Sequence, residues 1–189
     1  VIVLLFLAVF LQTGDLEEGL RAYREGRYDD AVQLLSRVPP SYEGLLTLGL
    51  ADGHLQHYDE AQAALGQAIA LSPQRSEAWT ERGGLFFLEG RYEEACRDLR
   101  RSLRIRDDAY TRDLLASSLY LVGQTDEALA QWNLLGKPRI RTLTISGLVV
   151  TRDNVARREL SMSEGEVLDL HALEAARLRL REVGVFDRA

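Results

Sequence analysis

Gly83-Gly84-Leu85-Phe86-Phe87-Leu88-Glu89-Gly90-Arg91-Tyr92-Glu93-Glu94-Ala95 is the stretch that decides the fold. A small residue, Gly83, stands twelve positions before a second one, Ala95, and between them Gly90 is followed by the acidic pair Glu93-Glu94. The arrangement recurs. Gly26-x-Tyr28-x-x-Ala31, Gln56-x-Tyr58-Asp59-Glu60-Ala61 and Gly123-x-Thr125-Asp126-Glu127-Ala128 align with Gly90-x-Tyr92-Glu93-Glu94-Ala95, with alanines 30, 34 and 33 residues apart. Gly19, Gly49 and Ala116 hold the place of Gly83. Four copies at such a period predict a solenoid of paired amphipathic helices. Gly26, Gly90 and Gly123 stand where a first helix should end in a left-handed residue, which costs glycine least. The acids that follow fall in the first turn of the second helix and offset its dipole. The paired small residues let the two helices touch. Ser76 is expected to cap the helix beginning Glu77-Ala78-Trp79, and Pro73 to follow the end of the preceding one.

Composition narrows the partners. The chain has 189 residues, 46% of them apolar, which is enough for a packed core. From Asp15 to Leu135 it carries 13 Arg against 21 acids, a charge of −8, and from Lys137 onward a charge of +2. An acidic repeat region argues against nucleic acid, which needs clustered Lys and Arg. Arg97, Arg100, Arg101, Arg104 and Arg106 lie at helical spacing beside Asp98, Asp107 and Asp108, and read as a solvated face. Cys96 is the sole cysteine and reads as a small buried thiol.

Val1 to Leu11 is an unbroken apolar run. Its length suits the core of a secretory signal and falls short of a membrane span. A signal is the first reading, a membrane anchor the second and a buried first helix the third. The first two imply export. The expected divisions are an export signal or anchor over 1–14, a solenoid over 15–136 and a separate module over 137–189.

The repeat residues resemble the tetratricopeptide repeat family, most closely at Trp79, Gly83, Phe86, Gly90, Tyr92, Ala95 and Leu99, and over Leu48, Gly49, Tyr58, Ala61, Leu65, Ala68 and Pro73. The first repeat is four residues short, with Pro39-Pro40 marking a truncated second helix. In that family the first helices line a concave groove. The resemblance therefore implies a protein-binding wall made by Leu20, Tyr23, Leu46, Leu50, His54, Phe87, Asp113 and Tyr120. The Lys/Asn set that clamps a chaperone's C-terminal carboxylate is not evident, so an extended apolar segment or a partner helix is the expected ligand.

After Pro138 the pattern changes. Ile140 to Gly147 alternates and is β-branched, which predicts a strand. Thr151 to Asn154 offers starting residues for a short helix ending near Leu160, and Ser161 to Gly165 reads as a loop. Asp169 should cap a longer helix with Leu173, Ala176, Leu180 and Val183 inward. Val185-Phe186 looks like the start of another strand. The order resembles the polypeptide-transport-associated (POTRA) domain, through Ile140-x-x-Leu143-x-Ile145-x-Gly147, Val155-x-Arg157-Arg158-Glu159-Leu160, Glu164-Gly165-Glu166 and Leu173 to Phe186. The resemblance implies an incomplete α/β module whose last two strands would follow Ala189. The expected fold is thus mainly α: a helical-hairpin solenoid leading into part of a POTRA domain.

That pairing implies an adaptor of the Gram-negative periplasm or outer membrane, related to bacterial surface antigens. It would recruit or hold polypeptide clients, unfolded outer-membrane precursors among them, for membrane assembly or secretion. Contact with the membrane would come through a following barrel or the N-terminal segment. The alternative is a scaffold that organises envelope-complex subunits without handling unfolded chains. No phosphate loop or nucleophile elbow is present, so no enzyme and no cofactor are expected. His54 and His57 are three apart but flank a helix end, so a metal is not expected there.

Overall fold

The computed structural model describes residues 14–146 and 152–182. The apolar run over 1–11, the strand start at Val185-Phe186 and Val183 lie outside the described residues. Contacts divide the chain after Thr111 into two compact units, and the division falls within one helix.

Nine complete helices follow the first described one, α1 (residues 14–24). They are α2 (Tyr28–Leu35), α3 (Tyr42–His54), α4 (Tyr58–Leu71), α5 (Ser76–Leu88), α6 (Tyr92–Ile105), α7 (Ala109–Leu121), α8 (Thr125–Asn133), α9 (Asp153–Leu160) and α10 (Leu170–Glu182). The described residues are mainly α, in hairpins α1–α2, α3–α4, α5–α6 and α7–α8.

All four hairpins turn the same way. At each tip a left-handed residue donates its N–H three back, and the next donates five back. Gly26 N–H reaches Tyr23 O and Arg27 reaches Ala22 O, at 3.0 and 2.9 Å. Gln56 and His57, Gly90 and Arg91, and Gly123 and Gln124 repeat the pair. Gln56 has a φ of 63° where the other three tips have glycine. No side chain caps the helices that follow; Asp59 and Glu60, Glu93 and Glu94, and their equivalents occupy the first turns instead.

The small-residue pairs are the seams. Ala31, Ala61, Ala95 and Ala128 are fully buried. A Cβ on Gly49 would fall 2.6 Å from Leu65 Cγ, and one on Gly83 2.8 Å from Leu99 Cγ. The glycine therefore receives the leucine one turn past the alanine. In the fourth hairpin Ala116 replaces the glycine and Trp132 the leucine; Trp132 is half-buried and its Nε1 donates to Asp113 Oδ1 at 2.8 Å.

Two polar clusters sit within the first unit. Arg82 grips the buried Asp98 with two bonds, Nε to Oδ2 at 2.6 Å and a terminal nitrogen to Oδ1 at 3.1 Å, tying α5 to α6. Thr80 Oγ1 lies 2.7 Å from Ser102 Oγ and 3.0 Å from Thr111 Oγ1, all three buried. Ser102 donates to Ser76 O at 3.1 Å, and Thr111 to Asp108 Oδ2 at 2.8 Å. Ser76 is thus not the expected cap: it is the first residue of α5, buried, and Arg75 precedes it with no side-chain capping bond. Ser41 does cap α3, accepting from Gly44 N–H at 3.1 Å.

The second helix of the first repeat is short, as its sequence implies: α2 has 8 residues against 14 in α4 and α6. A cleft of about 430 Å³ remains between Leu35, Pro39, Pro40, Leu45 and Leu48.

In the second unit the strand expected over 140–147 does not form among the described residues 140–146. One isolated antiparallel bridge joins Arg139 to Val167. Ile140 donates to Glu166 O and Leu168 to Pro138 O, both at 2.7 Å. The partner segment curls away at Gly165, whose φ is +89°. A ladder cannot continue past a turn, so the described residues show no α/β sheet. The helices are as expected. Asp169 Oδ1 accepts from Ala172 N–H at 2.9 Å, and Leu173, Ala176 and Leu180 face inward. Arg179 Nε donates to Glu159 O at 2.9 Å, covering the C-terminal carbonyls of α9. Asn133, the last residue of α8, donates to Lys137 O and Leu168 O at 2.9 and 2.8 Å and accepts from Leu170 N–H at 3.0 Å.

Candidate polypeptide-binding groove

Of the eight residues expected to form a wall, Leu20, Tyr23, Leu46, Leu50, His54 and Phe87 lie on α1, α3 and α5, the first helices of the first unit's hairpins. Leu50 and His54, one turn apart on α3, line a recess of about 180 Å³ with Gly53, Glu81, Leu85 and Leu88. Its rim is apolar and open, and Leu88 is 68% exposed. His54 lies flat on Tyr28, with rings 4.2 Å apart and 4° from parallel. Tyr23 leans on both, 5.7 Å from Tyr28 and 5.9 Å from His54.

Glu81 is the charged member of this recess. Burial alone pushes its carboxyl above the ordinary range. Among the described residues no cation or hydrogen-bond donor acts on it. Its negative charge is felt on both sides: the Tyr23 phenol is raised by burial and then by Glu81, and the Tyr110 phenol likewise.

The eight wall residues named from the sequence separate into groups. Leu50 and His54 share the recess, and Tyr23 leans on His54. Leu20 and Leu46 are half-buried against the cores of their own hairpins. Phe87 is half-buried edge-on to Tyr92 at 5.6 Å, which holds it within its own hairpin. Asp113 and Tyr120 belong to the second unit. There Asp113 Oδ2 accepts from Lys137 Nζ at 3.0 Å, while Tyr120 is exposed beside Trp132 at 6.0 Å. The sequence reading missed Glu81 and Leu88. Glu81, Gly84, Leu85 and Leu88 follow the i, i+3, i+4, i+7 rule of one helix face, and Leu88 shares the register of His54.

His54 and His57 do not converge. His57 Nδ1 lies 3.4 Å from Asp52 Oδ1, a carboxyl raised by burial, while His54 is stacked on Tyr28. Among the described residues no group of three or more His, Cys, Asp or Glu could hold a metal, and no helix is long and apolar enough to cross a membrane.

Residues 46–110 match the tetratricopeptide repeat family. The protein carries a tetratricopeptide repeat region. Residues 138–189 match the POTRA family, described as surface antigen variable number repeat. Both kinds of domain generally mediate protein–protein interactions. No curated protein matches the chain. Solved structures do. The crystal structure of MamA protein is 21% identical, with a TM-score of 0.63 over 65% of this chain and 69% of that one. MamA AMB-1 is 20% identical, with a TM-score of 0.63 over 93% and 84%. MamA 41-end from Desulfovibrio magneticus RS-1 is 14% identical, with a TM-score of 0.62 over 66% and 73%. At these identities the likeness is one of fold: a helical repeat protein like MamA.

Proposed function

We propose that the chain is a non-enzymatic adaptor of the bacterial cell envelope that holds polypeptide clients for outer-membrane assembly or secretion. One observation carries the reading. The recess at Leu50, His54 and Leu88 leaves large apolar side chains open on the first helices of a repeat region, where burial would otherwise be favoured by about 25 cal/mol per Å². The POTRA match supports the envelope setting and a place at the periplasmic face of the outer membrane. The segment 140–146, which follows the bridge at Arg139, is β-branched and partly alternating, a pattern suited to join a sheet once neighbouring strands are supplied.

The test is a titration of an unfolded β-barrel precursor against the full chain and a Leu50→Asp, Leu88→Asp variant. Leu88 is exposed, so its change leaves the core intact. At least a tenfold rise in Kd is expected. Unchanged affinity removes the recess from client binding. Capture of folded envelope proteins but no unfolded precursor would favour the scaffold.

A further inference from the structure

We infer that the recess is specific for a polypeptide segment carrying one basic side chain, Arg or Lys, among apolar neighbours, with Glu81 as its anion. This rests on the groove reading above and names the class of partner it takes.

Glu81 is the one acid in a wall otherwise built of Leu50, Leu85, Leu88, Gly53 and His54. Two other carboxylates of this unit with restricted access to water have an arginine beside them, and the buried Asp52 has His57. Asp98 has Arg82, and Glu77 has Arg75 and Arg106. Arg82, the next residue in the chain, is turned to Asp98 and unavailable to Glu81. A carboxylate left half-buried without a donor is a cost to the free protein. A guanidinium or ammonium arriving on a ligand relieves that cost and gains a charge-assisted hydrogen bond.

The surroundings suit the rest of such a side chain. Leu50 and Leu88 offer apolar surface to its methylene stem. The Tyr23 and Tyr110 phenols both feel the charge of Glu81, and a cation seated beside it offsets that charge. The repeat region's charge of −8 steers cationic segments toward it. A bare anion or an acidic peptide is disfavoured by the charge of Glu81 and by that of the repeat region.

The test uses two capped nonapeptides of alternating apolar and polar residues, one with a central Arg and one with citrulline, which keeps the shape and loses the charge. Each is titrated against the full chain and Glu81→Gln by fluorescence anisotropy. The Arg peptide is expected to bind the parent about tenfold more tightly than the citrulline peptide. That preference should shrink below twofold in Glu81→Gln and weaken with salt. Equal affinities in the parent, both abolished by Leu50→Asp with Leu88→Asp, would overturn the inference and leave the groove reading intact. Binding by neither peptide would count against both. A dimer of the full chain that Glu81→Gln dissolves, with neither peptide competing, would give the recess to a second copy and overturn the inference.

Discussion

The third hairpin and the segment from Pro138 to Glu182 solve the same problem with different means. In the hairpin each helix meets its partner within one turn of chain. Gly90 and Arg91 close the tip, Gly83 receives Leu99, and Arg82 holds Asp98. The contacts are local and dense. In the later segment the extended stretch reaches its partner through one bridge, and Asn133 makes three of the bonds that fix the ends. A helix satisfies its backbone within itself, while an extended stretch needs a neighbour on each edge. The comparison predicts that the two regions differ in how far one substitution spreads.

The largest effect is expected at Asp98→Ala. It breaks the bidentate pair and should cost about 3 kcal/mol, the lower end for a buried pair, since Arg82 keeps some contact with water. Urea unfolding would read this as one cooperative loss across the hairpins. A separate early transition would argue that they are not a single unit. Next is Gly83→Ala. Alanine ordinarily favours a helix over glycine by about 1 kcal/mol, but here its methyl meets Leu99 and the net cost should be about 2 kcal/mol. Gly66→Ala, whose nearest neighbour is Arg82 Nη1 at 3.5 Å, an ordinary van der Waals contact, should instead stabilise. The same sign for both would refute the seam.

Asn133→Ala tests the other region and should cost about 1–2 kcal/mol. Hydrogen exchange should quicken at Leu168 and Leu170 while the amides of α5 and α6 keep their protection. Gln56→Gly should raise stability by about 1 kcal/mol, because glycine relieves a left-handed backbone. A lower melting temperature would contradict this. The smallest effect is at Glu81. Burial keeps it protonated to higher pH in the folded chain than in the unfolded one, so stability falls as pH rises between those two values. Glu81→Gln should therefore be more stable than the parent at neutral pH, with the gap closing as pH falls through the ordinary glutamate range. A gap independent of pH would rule this out.

What the sequence revealed follows from the same contrast. A left-handed tip demands glycine in three of four turns, and a close seam demands a small residue on each helix, so Gly90, Gly83 and Ala95 announce the hairpins. Recess residues are chosen by what they leave open, and no steric rule singles them out. Leu50 and His54 could be placed by register. Glu81 could not, since an isolated acid on a helix usually faces water, and only the walls supplied by α3 and α4 enclose it. Phe87 shows the converse: its register suggested an open face, but Tyr92 lies within reach of its ring. The strand over 140–147 had the right alternation, and the bend at Gly165 removed the neighbour it needed.

The buried hydroxyls of Thr80, Ser102 and Thr111 carry one last consequence. They make four close oxygen contacts, counting Ser76 O and Asp108, yet own only three hydrogens. At any instant one link is therefore a bare meeting of lone pairs, and the vacancy can migrate as the hydroxyls rotate. The joint between α5, α6 and the start of α7 is thus held by a shared, shifting set of bonds rather than by four fixed ones.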